Sequence, residues 1–241
     1  ECSMPEAIKM IEEAKEGGAD AAKFQSYKAE KLASLNASAY WDTDKEQTLS
    51  QHALFRKYDK FNSQDYHTLA EHCKRVGIDF ISTPFDNEAV DYLDPLVTFF
   101  KISSSDITNY PLLRKIASKN KPVILSTGAS SITEIKGAVN ELFKKGCSNI
   151  ALLHCILNYP TEESNVNLNM ITGLQKEFPE LIVGYSDHSM PDESMFVLTS
   201  AYLKGARILE KHFTRNKKLP GNDHYHSMDL NDLQILKNNL N

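Results

Sequence analysis

Paired cysteines, long apolar runs and a strong excess of either charge are all missing from this sequence, and each absence removes a class of protein. The four cysteines (Cys2, Cys73, Cys147 and Cys155) stand far apart with no Cys-x-x-Cys among them. Neither a disulfide framework nor a thiolate zinc site is encoded, so reduced thiols in a cytoplasmic protein are the expectation. No apolar run reaches the roughly 18 residues needed to span a bilayer, and no stretch reads as a secretory leader. Without such a leader, the sequon Asn36-Ala37-Ser38 reads as a chance match in a loop. A formal charge of −5 provides no basic face for nucleic acid. Any anionic ligand must therefore be met by a local group of cations.

What is present is an alternation of short apolar runs with helical patterns over 241 residues, 41% of them hydrophobic. That alternation predicts a parallel sheet wound with crossover helices, in one domain of 1–241. Strands are expected over 21–25, 79–83, 99–103, 123–127, 150–155, 182–186 and 208–212. Ser131 with Glu134 predicts a capping box for a helix that Gly146 stops, and Pro111 after Asn109 predicts another helix start. Ser3, Pro5 and Glu6 predict a helix over 4–16 with a capping box of its own, and 231–240 reads as the last helix. No strand precedes the first helix. Seven strands plus that one predict an α/β fold of the (β/α)8 barrel type lacking its first strand. The stretch 29–62 shows no clear periodicity and, with Tyr40 and Trp41, reads as a lid.

Carboxyl ends of barrel strands form the active-site rim, so the chemistry is sought there. Lys23 and Lys101 sit within apolar strands, where an ammonium needs a counter-charge, an anionic ligand or a lowered pKa. Hydroxyls collect at the same strand ends, in Ser82-Thr83, Ser103-Ser104-Ser105, Ser126-Thr127 and Ser186, a donor set suited to phosphate and carboxylate. His188 and His212 end consecutive strand units, so their imidazoles fall on neighbouring strands about 4.8 Å apart and could grip one divalent ion. His52, His67 and His72 read as surface residues and His154 as support for the rim. His224 and His226 stand in a polar loop that is either a second metal candidate or a substrate loop.

Taken in order, KFQ at Lys23, ISTPF at Ile81, KISSSD at Lys101, ILSTG at Ile124, LLHC and NYPT from Leu152, GYSDHS at Gly184, EKHFT at Glu210 and GNDH at Gly221 resemble the sialic acid synthase family, with its legionaminate and pseudaminate relatives. The resemblance implies a metal-assisted synthase that joins phosphoenolpyruvate to an N-acetylmannosamine-type amino sugar on a TIM barrel, as a homodimer. His188 and His212 would bind Mn²⁺. Lys23 and Thr83 would lie near the carboxylate of phosphoenolpyruvate, while Lys101, Ser104, Ser126 and Ser186 would hold its phosphate. Gln25, Tyr159 and Asp223 match positions that face the sugar. The family's glutamate on its first strand and its C-terminal antifreeze-like domain have no counterpart in this sequence, and Leu157 stands where the family has an asparagine. A Schiff-base aldolase using Lys101 or Lys23, a metal hydrolase of the barrel type, and a non-catalytic sugar-phosphate-binding barrel are the competing readings.

Overall fold

The computed structural model describes residues 3–241, so Cys2 lies outside the described residues. Met4–Glu16 forms α1, with Pro5 in its first turn and its apolar stripe of Ala7, Ile11 and Ala14 turned inward. Its capping box does not form: the Ser3 hydroxyl caps nothing, because Glu6 is drawn instead to Arg215 at 2.7 Å. Then follow β1 (Ala21–Ser26), α2 (Ala29–Leu32), α3 (Gln51–Tyr58), α4 (Ser63–Val76), β2 (Asp79–Pro84), α5 (Asn87–Leu93), β3 (Phe100–Ile102) and α6 (Tyr110–Ala117). The second half of the chain adds β4 (Val123–Ser126), α7 (Ile132–Lys144), β5 (Ile150–Cys155), α8 (Asn169–Glu177), β6 (Ile182–Asp187), α9 (Phe196–Leu203), β7 (Leu209–Lys211) and α10 (Leu230–Leu240).

All seven expected strands are in place, within a residue or two of the expected limits. The capping box of Ser131 and Glu134 opens α7, and Asn109 caps α6. Gly77 follows α4 with φ of 77°, a left-handed turn that aims the chain into β2 and that glycine makes without strain. Every ladder is parallel, with β1 beside β2 in one sheet and β3 to β7 in sequence order in the other. Strands β2 and β3 pack side by side between the two sheets. The whole row is curled, because a carboxylate on β7 comes within 3.6 Å of lysines on both β1 and β3. The core lies between strands and helices and is built from fully buried side chains such as Leu69, Leu93, Phe100, Ile102, Leu125, Leu142 and Leu152. Burial on both faces is why β2 to β6 read as nearly unbroken apolar runs.

The stretch 29–62 is not a structureless lid, since it contains α2, α3 and an antiparallel bridge between Ser38 and Ser50. Trp41 is 7% exposed, and its indole N–H donates to the Glu46 carbonyl at 3.0 Å, so it anchors this segment. His52 and His72 are buried, not surface residues, because each lies on the inward face of its helix; His72 shares that face with Tyr66, Leu69 and Cys73. Among the described residues, no helix is long and apolar enough to cross a membrane.

Candidate active site

A cavity of 1310 Å³ runs along the open seam between β1 and β7, and Lys23, Gln25, Tyr40, Lys101, Tyr159, Glu210, His212, Asp223 and His224 line it. Thr83, Ser104, Ser126, Ser186 and His188 stand behind that lining, each at most 6% exposed. The candidate residues form two groups that share this cleft.

The first group is cationic. On β3, Lys101 is 4% exposed and donates to the Ser126 hydroxyl at 2.8 Å and to the Ile102 carbonyl at 3.2 Å. Glu210 on β7 answers both lysines, with Oε2 3.6 Å from Lys101 Nζ and Oε1 3.6 Å from Lys23 Nζ. The Ser186 hydroxyl donates to the same carboxylate at 3.3 Å. Burial works against the charge on Glu210, but the two ammonium groups outweigh it and hold the carboxyl down at about 2. Burial pushes Lys101 below its ordinary value; Glu210 opposes that shift and the nearby charge of Lys23 adds to it. The two ammonium groups facing one carboxylate leave one net positive charge, and Ser126 and Ser186 stand beside it as hydroxyl donors. Ser104 is tied down nearby, where its Oγ accepts from the Gly128 amide at 2.8 Å. Thr83 is buried at the end of β2, paired in register with Gln25 of β1.

The second group is built around aromatic rings. The rings of His188 and His212 lie 5.4 Å apart, centroid to centroid, at 64°. Gly184 makes this closeness possible, since a Cβ there would collide with the Ile208 carbonyl and with Leu153, forcing β6 away from the chain entering β7. His188 Nδ1 lies 2.8 Å from the Ile156 carbonyl. A carbonyl only accepts, so Nδ1 carries the proton and Nε2 keeps its lone pair. Burial and the neighbouring His212 push His188 down to about 3. Burial also lowers His212; Asp223 opposes that shift and His226 adds to it. Tyr159 packs its ring 4.1 Å from His188 and 6.2 Å from His212. Burial raises its phenol far above the usual range, so it remains a proton donor. Asp223 Oδ2 stands 3.7 Å from His212 Nδ1. Burial opposes the charge on Asp223, but the His212 and His226 rings keep its carboxyl below its ordinary value.

Two imidazoles at this spacing, one of them with its tautomer fixed by a carbonyl, could each offer a ring nitrogen to a divalent ion. Among the described residues, no three His, Cys, Asp or Glu side chains are arranged to hold an ion by themselves. The two histidines would therefore leave further coordination positions to water and substrate. His224 lines the cleft and shares a contact of 2.8 Å with the Thr214 hydroxyl, whereas His226 is wholly buried. His154 supports the rim as expected, bonded through Nε2 to the Val166 carbonyl at 2.9 Å.

A family model described as the NeuB family matches residues 10–241. The chain belongs to the NeuB family. Over 95% of its length it is 41% identical to the N,N'-diacetyllegionaminic acid synthase of Campylobacter jejuni, and it covers 69% of that protein. An uncharacterized protein of Methanocaldococcus jannaschii is 42% identical over 96% of the chain, which covers 64% of it. The chain thus spans about two thirds of the length of these NeuB-family relatives. Among solved structures, the N-acetylneuraminic acid synthetase of Leptospira borgpetersenii superposes with a TM-score of 0.87 at 33% identity, over 98% of this chain and 77% of that one.

Sequence reasoning singled out the two lysines and the two histidines but assigned no part to Glu210, Asp187 or Lys211. The signal was there: each is a charged residue inside a strand, in GYSDHS and ILEKHF. Lys211 and Asp187 form an ion pair across β6 and β7, with side chains 1% exposed. Two hydrogen bonds to that carboxylate, from the Tyr185 hydroxyl and the Ser189 amide at 3.0 Å each, hold the turn that carries His188.

Proposed function

We propose that this NeuB-family chain is the catalytic barrel of a nonulosonic acid synthase, which condenses phosphoenolpyruvate with an N-acetylmannosamine-type sugar and releases phosphate. The observation that carries this reading is the joining, in one cleft, of a two-lysine cationic pocket, with Lys101 buried in it, and a pair of neutral histidines. Lys101, Ser104, Ser126 and Ser186 bind the phosphate, and Lys23 and Thr83 lie toward the carboxylate. Gln25, Tyr159 and Asp223 face the sugar. A divalent ion such as Mn²⁺, held by His188 and His212, would supply Lewis-acid polarisation of the sugar aldehyde. C3 of phosphoenolpyruvate then bonds to the aldehyde carbon, water adds at C2, and C–O cleavage expels inorganic phosphate, leaving a 2-keto acid. Donors already fixed by β3, β4 and β6 need no reordering as charge shifts onto the departing phosphate, which favours the transition state.

The cytoplasmic, dimeric and eight-stranded character of the protein belongs to the same reading. Among the described residues β1 pairs only with β2 and β7 only with β6, so each turns an unpaired edge to the seam.

The test is a substrate panel. The protein with Mn²⁺ and phosphoenolpyruvate is offered N-acetylmannosamine, its diacetamido analogue and the altrose counterpart, and phosphate is measured. Release that depends on one sugar and stops with chelator is expected, and absence of release with every sugar overturns the synthase. The burial that lowers Lys101 also suits a Schiff-base aldolase. A keto acid plus borohydride decides between the two, because only the aldolase leaves a reduced adduct on lysine.

A further inference from the structure

His226 is the one histidine of the loop after β7 whose ring is wholly enclosed: it has no exposed surface, and neither ring nitrogen has a hydrogen-bond partner. Its ring packs 5.3 Å from His212, 5.8 Å from Tyr159 and 5.2 Å from Tyr225. It therefore backs the cleft-facing residues without lining the cleft itself. The Asp223 carboxylate lies between two imidazoles, with Oδ1 3.6 Å from His226 Nε2 and Oδ2 3.7 Å from His212 Nδ1. Both separations are just beyond hydrogen-bond reach, so one small inward movement of this carboxylate brings an oxygen within reach of one nitrogen on each ring.

We propose that His226 is a positioning residue, which tethers Asp223 so that Asp223 holds His212 as its Nδ1–H tautomer and leaves Nε2 of His212 free for the ion. A carboxylate on the far nitrogen of a histidine sets both the tautomer and the orientation of that ligand, and such supports govern metal affinity. On the opposite side of the site the Ile156 carbonyl does the same for His188. The two histidines are thus supported in parallel, one by a backbone oxygen and one by a side chain that itself needs support. Asp223 requires it because it sits on a loop, where the Ser227 hydroxyl donates to its backbone carbonyl at 2.5 Å and its carboxylate Oδ1 accepts a long bond of 3.3 Å from the side-chain amide of its chain neighbour Asn222.

The proposal rests on the reading of His188 and His212 as the ion site, and the test separates the two. His226→Phe keeps the ring volume and removes both nitrogens, His226→Gln restores a donor, and His212→Ala removes the ligand itself. Mn²⁺ affinity is measured by calorimetry, thermal midpoints are compared, and the His212 tautomer is read in metal-free protein from long-range ¹H–¹⁵N spectra. The expected result is a dissociation constant raised about tenfold or more in His226→Phe, a partial return in His226→Gln, no measurable binding in His212→Ala, and the Nδ1–H tautomer in the parent. If His212→Ala loses the ion while His226→Phe binds within twofold of the parent, the positioning role is wrong and the ion site stands. If His212→Ala binds normally, the ion site is wrong, and the tautomer spectra still decide the tether. An Nε2–H tautomer in the parent overturns the proposal even where a variant does not fold.

Discussion

The Glu210 carboxylate of β7 lies 3.6 Å from the Lys101 ammonium of β3, across the mouth of the curled sheet. Its other oxygen serves Lys23, so one acid faces two bases. Removing it strands a buried ammonium, which costs about 3 kcal/mol. Glu210→Gln should lower the urea midpoint accordingly, and inorganic phosphate should restore most of the loss by replacing the missing negative charge. Phosphate that stabilises parent and variant equally would show that the pocket is not an anion site.

Lys101→Met keeps the length of the side chain and removes its charge. Loss of a charged hydrogen bond is worth about 1.5 to 3 kcal/mol, or roughly 10- to 150-fold in affinity for phosphoenolpyruvate. Mn²⁺ binding should be untouched, because Lys101 belongs to the cationic group and not to the imidazole pair. An unchanged phosphoenolpyruvate affinity, measured by calorimetry, rules out the phosphate assignment.

The strands were legible because strands buried on both faces carry little but apolar residues, which made Lys23 and Lys101 conspicuous. Glu210 stood in an equally apolar run, yet its role depends on curl: only the folded sheet brings β7 against β1 and β3. His188 and His212 could be placed as neighbours from strand order alone. His226 could not, since a polar loop has no period from which to infer burial. Trp41 was misread for a related reason. An aromatic in a patternless segment looks like a lid, whereas an indole donating to a carbonyl five residues on is a local anchor. His72 was within reach, since its spacing from Leu69 and Tyr66 places all three on one helix face.

Tyr40 and Trp41 adjoin in sequence but should respond oppositely to truncation. Tyr40 is 61% exposed and lines the cleft beside Tyr159, at 6.5 Å between rings. Tyr40→Ala should raise the KM for sugar and leave stability within about 0.5 kcal/mol. Trp41→Ala should destabilise by about 3 kcal/mol or more, through lost burial and a stranded carbonyl. Equal effects of the two on KM would dismiss the division of labour.

The buried thiols make a pH forecast. Burial pushes Cys73 up to about 12 and Cys155 up to about 11, so both stay protonated at neutral pH. Peptide mapping after iodoacetamide at pH 8 should find both unmodified in the native protein and both modified in urea. The sign for stability follows. A folded-state pKa above the unfolded value of about 9 contributes stability that is complete below that pH. It is lost as pH rises toward 11 to 12. A native protein that grows more stable between pH 9 and 11 contradicts this.

A buried ion pair lies beneath His188. Asp187 and Lys211 are paired with side chains 1% exposed, and Asp187 also accepts from the Tyr185 hydroxyl, the Ser189 amide and the Ser189 hydroxyl at 3.0 Å each. Lys211 donates in addition to the Ser189 carbonyl at 2.7 Å. Breaking such a pair from one side leaves an uncompensated charge, whereas replacing both partners leaves none. Lys211→Met alone should therefore cost about 3 to 5 kcal/mol by leaving the carboxylate unpaired. Adding Asp187→Asn, which keeps the amide and hydroxyl contacts largely in place, should recover a substantial part of that loss. Urea unfolding of the two single variants and the double variant closes the cycle. Strict additivity of the two single losses would mean that the turn carrying His188 is held by its backbone contacts, with the charge pair adding nothing to it.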